Sequence, residues 1–451
     1  MGNNITAKPG PTKIIRWMVL LLISLAMFGN YYIYDSISPL ADLLKSQLGF
    51  SDANIGLLNA IYSFPNIIMV LIGGLIIDRI GTRKSVSIFT VLIMLGSFIT
   101  ALQGNIFTMA AGRLIFGLGA ESMIVAITTI IARWFKGKEL SFAFGLNLTV
   151  ARLGSFLALN SPTWGKSLYN YWQNPLWITV GAGVFAVLGI IAYYSMDLYA
   201  SKKYVLPKEG NQDKVVIKEI FNFGKSFWFI TALCVTFYSA MFPFQTFAIK
   251  FFQEAHGTTR EVGGNLSSML TFAAMIFTPL FGLMADKIGK RSLLMMFGSL
   301  LIIPVYLMMA YKIGRPDILG VGDFVNINFD FFDIHAAIPI YLLIPMSMMG
   351  IAFSLVPAVM WPSVALVVDN SKLGTAYGLM TMIQNIGLFG FNLLIGFAND
   401  ISNASATNPG GYNLGMWIFS ILGFLGLMFA FLLRRCEVGP GGHGLEIGIK
   451  K

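Results

Sequence analysis

The sequence predicts an all-α polytopic membrane protein, its twelve transmembrane helices arranged as two six-helix bundles. Three observations carry that prediction. Hydrophobic residues fill 56% of the 451 positions and charged residues only 12%, far from the balance of a soluble domain. Twelve stretches approach or exceed the roughly 20 mostly apolar residues needed to cross hydrocarbon, at 14–40, 54–77, 85–104, 107–132, 139–160, 175–196, 225–250, 261–285, 292–312, 336–363, 374–400 and 412–433. The longest basic connector, Ser201 to Lys225, falls between the sixth and the seventh and divides the chain into halves.

Taken in order, residues 1–13 form a polar cytoplasmic arm, and the span that follows is too long and too polar at its far end for a cleaved signal peptide. Residues 14–200 make the N-terminal bundle, 201–224 a cytoplasmic connector, 225–435 the C-terminal bundle and 436–451 a Gly-rich cytoplasmic tail. Orientation follows from the bases between spans. Twenty-three Lys and Arg fall on the side of the termini, against Lys45, Lys166, Lys250, Arg260, Lys312 and Arg315 on the other. That asymmetry puts both termini inside and explains the net charge of +10 without nucleic acid, since no basic patch with interleaved aromatics occurs. With the compact length, it leads us to expect a bacterial inner membrane. The outward linker 314–333 is acidic and aromatic, and reads either as a cover for the outer mouth or as an ordered insert.

Cys234 and Cys436 supply no disulfide framework, and His256, His335 and His443 are scattered. No metal set, nucleotide loop or nucleophile with its base can be assembled, so neither an enzyme nor a cofactor is expected. No accessory subunit is inferred.

Ionisable residues inside spans are the functional candidates, because a charge at the bilayer centre costs about 2.5 to 3.5 kcal/mol on insertion scales. Glu121 lies near the middle of span four and Arg152 near the middle of span five, joined by a short basic turn. Arg113, Gly117 and Glu121 share one helical face at i, i+4 and i+8. Arg113, nearer the outer end, reads as an organiser of helix packing or an outer gate. Span one carries Tyr31, Tyr34, Asp35 and Ser38. Asp35 fits a proton carrier, an amine ligand or an anchor of the outer rim equally well. Tyr62, Tyr238, Phe242, Gln245 and Trp361 suit a cavity wall, although singly each suits core packing as well. Gln384 and Asn385 stand apart, because their amides are costly without partners in hydrocarbon.

The halves also repeat. Gly74, Asp78, Arg79, Gly81 and Arg83 follow span two, and Gly282, Asp286, Lys287, Gly289 and Arg291 follow span eight. Both place an acid at a helix end beside bases and turn-forming glycines, a charge clasp suited to gating. These paired loops resemble the signature of the major facilitator superfamily, and Arg113 with Gly117 and Gly119 resembles its fourth-helix motif. The resemblance spans about 14 to 435 and implies two six-helix bundles around a central cavity.

A narrower resemblance, to a lysosomal dipeptide-transporting branch of that superfamily, rests on Gly112-Arg113, Glu121-Ser122, Trp134-Phe135, Phe144-Gly145, Ala151-Arg152, Tyr34-Asp35, Tyr62 to Asn66, Phe242-Pro243-Phe244, Trp361-Pro362 and Gln384-Asn385. It implies that Glu121 takes a peptide's ammonium group and Arg152 its carboxylate. The chemistry agrees: a guanidinium fork matches a carboxylate bidentately, and an ionised Glu only accepts. The expected function is alternating-access transport of small zwitterions, dipeptides first, by uniport or with protons. The alternatives are a proton-coupled carrier of organic anions, in which Arg152 and Arg113 bind the anion, and a non-transporting receptor. Span five lacks the Gly-Pro motif of proton antiporters, and the acid-rich first-helix motif of proton-coupled peptide carriers is missing too.

Overall fold

The computed structural model describes residues 10–135, 139–204, 223–313, 324–329, 334–369, 372–439 and 441–447. Twelve of its helices are long and apolar enough to cross a membrane. The N-terminal bundle comprises α1 (Lys13–Asp35), α3 (Asp52–Ile80), α4 (Thr82–Leu102), α5 (Ile106–Phe135), α6 (Leu140–Leu159) and α8 (Gln173–Lys203), with short α2 (Ala41–Leu48) and α7 (Ser161–Trp164) at its rim. The C-terminal bundle comprises α9 (Lys225–His256), α10 (Arg260–Ile288), α11 (Arg291–Ala310), α12 (Ile340–Val367), α13 (Leu373–Ile401) and α14 (Asn413–Glu437).

Local sequence chemistry sets many of these ends. The Thr12, Ser51 and Thr259 hydroxyls cap α1, α3 and α10 by accepting from the backbone N–H three residues on. Gly49 and Gly257 close α2 and α9 in the left-handed region, at φ 69° and 68°. The repeated loops show the same backbone solution in both halves: Gly81 turns at φ 83° and Gly289 at φ 69°. Gly282 differs from its sequence reading, since it lies within α10 and a Cβ there would meet nothing within 4 Å. Gly74 likewise lies inside α3.

Several boundaries move. Span one breaks after Asp35, and Ser38–Leu40 form a 3-10 turn around Pro39 before α2 begins. Helix α9 continues past position 250 to His256. Span ten starts at Ile340 rather than at 336, because Ile334–Pro339 pairs antiparallel with Phe324–Phe329, from Phe324 opposite Pro339 to Phe329 opposite Ile334. Residues 314–323 and 330–333 of the outward linker, 205–222 of the connector and 136–138 of the basic turn lie outside the described residues, so the roles expected there stay with the sequence.

Within each bundle small residues let helices touch. A Cβ at Gly112 would sit 2.5 Å from the Thr100 nitrogen, and one at Gly117 2.3 Å from the Tyr62 carbonyl. Between bundles the close approaches gather at the face opposite the termini. There Gly56 abuts the Asn392 carbonyl at 2.4 Å, Gly396 that of Asp52 at 2.5 Å and Gly264 that of Leu159 at 2.6 Å, each measured to an added Cβ. The buried apolar cluster of the C-terminal bundle accordingly continues into Ile37, Leu40, Phe50, Ile55 and Leu58 of the other bundle.

Candidate functional site

The ion pairs sort by face. At the face opposite the termini several cross between bundles: Lys250 Nζ meets Asp52 at 2.9 Å, Lys166 meets Glu261 at 3.2 Å, and Arg260 pairs with Asp42, while Lys45 meets Asp52 within one bundle at 3.3 Å. Asp400 adds a cross-bundle cap, accepting from the Asp52 and Ala53 amides at 2.9 and 2.8 Å on the first turn of α3. At the face of the termini the described pairs stay within one bundle. Arg16 meets Glu139 at 3.2 Å, Arg83 pairs with Asp197, Arg291 pairs with Asp286, and Ser226 donates to Glu437 at 2.6 Å. Among the described residues, ion pairs therefore fasten the bundles at one face and none does so at the other.

Between them lies a cavity of about 630 Å³. Its lining runs from mid-span toward the face of the termini, through Glu121 of α5, Gly145 to Arg152 of α6, Phe353 to Pro362 of α12 and Thr381 to Leu388 of α13. Of the residues singled out from sequence, Tyr34, Tyr62, Glu121, Arg152, Tyr238, Phe242, Trp361 and Gln384 all line this space. Glu121 and Arg152 are partly exposed to it, and no salt bridge joins them. The Tyr62 hydroxyl donates to Glu121 Oε1 at 3.3 Å. The Arg152 guanidinium sits 5.7 Å from the Tyr31 ring centre and 5.2 Å from that of Phe353. Both charges thus keep part of their bonding capacity turned toward the cavity.

Three expected lining residues lie elsewhere. Asn385 is buried and its amide nitrogen donates to the Thr381 carbonyl at 3.0 Å, one helical turn back. Its neighbour Gln384 takes the cavity side, because adjacent residues on a helix point about 100° apart. Asp35 and Gln245 sit in a small adjoining crevice with Ser38, Asn59 and Thr246, and Tyr34 and Phe242 line both spaces. That crevice lies toward the fastened face, where the Ser38 hydroxyl donates to the Gln245 carbonyl at 2.5 Å and Asn59 donates to Thr246 at 2.9 Å.

Arg113 has the organising position. It is 1% exposed and donates to the Leu58, Ile33 and Tyr34 carbonyls at 3.1, 3.1 and 3.3 Å and to Asn59 Oδ1 at 2.7 Å. Two of those carbonyls belong to the last turn of α1, which has no intrahelical donor of its own for them. In the repeated loops the acids behave unequally. Asp286 pairs with Arg291, whereas Arg83 reaches past its own loop to Asp197 of α8, which also accepts from Trp134 Nε1 at 3.2 Å. Asp78, Arg79 and Lys287 are exposed at the ends of α3 and α10.

Sequence reasoning missed Phe353, whose ring carries no polar mark. It also missed the buried cluster in which Lys250 meets Asp52, Glu254 at 3.1 Å and the Tyr412 hydroxyl at 2.7 Å. A Lys and a Glu four apart near a helix end, with an Asp at a helix start, were the available signal.

Comparison with known proteins follows this geometry. The Major Facilitator Superfamily model matches residues 23–311 and 244–446. The lysosomal dipeptide transporter MFSD1 of Homo sapiens is 31% identical over 443 residues, 94% of this chain and 87% of that one. The probable sulfoacetate transporter SauU of Cupriavidus necator is 26% identical over 188 residues, 41% of each chain. Among solved structures, a mutant of the nucleoside transporter NupG superposes with a TM-score of 0.70 at 14% identity, covering 92% of this chain and 99% of that one. That likeness concerns the fold alone.

Proposed function

This chain belongs to the major facilitator superfamily, and from that premise we propose that it moves small zwitterionic solutes, dipeptides foremost, across its membrane by alternating access. One observation carries the reading: Glu121 and Arg152 line a single cavity without being ion-paired to each other. A zwitterion brings both complementary charges at once, so its binding leaves neither side chain unmatched at membrane depth. Arg152 takes the carboxylate through its planar fork, and Glu121, held by Tyr62, takes the ammonium. The cavity volume lies inside the range of roughly 300 to 1,000 Å³ usual for small-molecule sites. Similarity to a dipeptide transporter along nearly the whole chain supports the substrate class.

The fastening of one face and separation of the other support one half of such a cycle. The positive-inside bias supports a cytoplasmic assignment for the open face, and the compact length supports a bacterial inner membrane as its setting, with an organelle membrane as the alternative. The organic-anion reading draws on similarity to a sulfoacetate transporter over part of the chain. It needs Arg113 as an anion ligand, and Arg113 is buried with its donors already engaged by backbone and Asn59.

Uptake into proteoliposomes tests the reading. Labelled alanyl-alanine accumulates or exchanges in preference to alanine and succinate, and an imposed proton gradient separates uniport from proton coupling. Preference for succinate would overturn the assignment in favour of the anion carrier. Saturable binding without uptake or counterflow would make the protein a receptor.

A further inference from the structure

On the premise that Glu121 and Arg152 hold a dipeptide backbone, we propose that the wall supplied by the C-terminal bundle is the side-chain compartment of the site, that it accepts apolar and aromatic side chains and rejects acidic ones, and that Gln384 sets this preference. The starting point is an asymmetry. Among the described lining residues, the charges in the cavity ride on α5 and α6 of one bundle, whereas those from α9, α10, α12 and α13 include no carboxylate, ammonium or guanidinium. The backbone anchors and the rest of the substrate therefore face different bundles.

That second wall is built of rings. Tyr238 stacks on Phe242 with centres 5.5 Å apart and planes 14° from parallel, and Phe242 meets the Phe353 ring edge-on at 6.0 Å. Trp361 completes it, but its indole N–H is already given to the Tyr238 hydroxyl at 2.9 Å. Gln384 is the only primary amide among the described residues of this wall, and its Oε1 has the Cys234 thiol 3.7 Å away. An apolar or aromatic side chain exchanges water for these surfaces and gains. A carboxylate meets the negative faces of the rings and loses hydration, and on this wall it finds the Gln384 amide and the Thr278 and Thr381 hydroxyls, neutral donors that do not balance its charge as a cation would. A cationic side chain fares better than an acidic one, because the same ring faces attract it.

Competition decides the matter in reconstituted full-length protein. Uptake of labelled alanyl-alanine is measured against leucyl-alanine, phenylalanyl-alanine, lysyl-alanine and aspartyl-alanine. The leucyl and phenylalanyl peptides compete at least as well as unlabelled alanyl-alanine, lysyl-alanine competes less well, and aspartyl-alanine is weaker by about tenfold or more. Gln384→Lys raises the competition by aspartyl-alanine relative to alanyl-alanine about tenfold, and Gln384→Glu does the same for lysyl-alanine. Equal competition by all five peptides in the wild type would overturn the compartment. Discrimination that survives both substitutions unchanged would remove Gln384 from its role. Absence of dipeptide uptake in the wild type is a separate outcome, which sinks the underlying transport reading instead.

Discussion

Arg113 and Arg152 are two guanidiniums on neighbouring helices that serve opposite ends. Arg113 is sealed and spends its donors on three carbonyls and Asn59, whereas Arg152 rests against the Tyr31 and Phe353 rings with the cavity before it. Their substitutions should separate accordingly. Arg113→Ala takes the guanidinium donor from the Tyr34 carbonyl and Asn59 Oδ1, at about 1 to 3 kcal/mol for each buried acceptor left unmet, while the Ile33 carbonyl keeps the Ser36 hydroxyl, so thermal unfolding of the purified protein shifts downward and yield falls. Arg152→Gln leaves the melting temperature near wild type and abolishes uptake; the reverse pattern would exchange the two roles. Tyr62→Phe keeps its ring beside Tyr34 at 4.8 Å and Phe116 at 5.1 Å but loses the bond to Glu121. Hydrogen bonds to charged groups are worth about 1.5 to 3 kcal/mol, so half-saturation rises roughly tenfold while the fold persists. The two cavity charges were legible in sequence because a lone ionisable residue inside a span stands out. Asn385 misled because amide type alone does not say which way a helix turns its neighbour, and Phe353 was silent because a ring in an apolar span looks like every other.

At the scale of elements, the fastened face depends on α3 meeting α9 and α13. Lys250 is completely buried there among Asp52, Glu254 and Tyr412. Removing the cation leaves Asp52 to the part-exposed Lys45 at 3.3 Å and Glu254 to the Tyr412 hydroxyl, and breaking a buried pair costs about 3 to 5 kcal/mol. Lys250→Met should therefore loosen this face and populate the opposite conformation. A cysteine placed at the cavity-facing Thr381 reports it: membrane-impermeant thiol labelling from the fastened face rises in the Lys250→Met background, and unchanged labelling would show that the cluster does not hold the bundles together. Gly396→Leu should act in the same direction, because even a Cβ there comes within 2.5 Å of the Asp52 carbonyl. The helices themselves were readable from apolar run length. Lys250 was counted with the outward bases because span seven was ended at 250; the further turns to His256 bring it under cover. The hairpin before α12 escaped because a short apolar run fits strand and helix alike.

Across the whole molecule, Glu121 and Arg152 belong to one bundle while the ring wall belongs to the other, and among the described residues the ion pairs and closest backbone approaches between bundles gather at one face. On the proposed function, a rocking motion would carry a dipeptide's backbone with the N-terminal half and change what its side chains meet. The two-bundle plan was visible in the repeated loops and the basic connector, since repetition survives in sequence; the direction in which the cavity opens was not, because it is a property of one state rather than of the chain. The account rests on Glu121 and Arg152 gripping opposite ends of one solute. The most direct test is a binding cycle with end-blocked ligands, comparing alanyl-alanine, its N-acetyl form and its C-terminal amide on wild type, Glu121→Gln and Arg152→Gln by ligand-induced thermal shift and titration. Acetylation should weaken wild-type binding strongly but add little in Glu121→Gln, and amidation should do the same with respect to Arg152→Gln. Equal penalties for each blocked ligand in all three proteins would contradict the account.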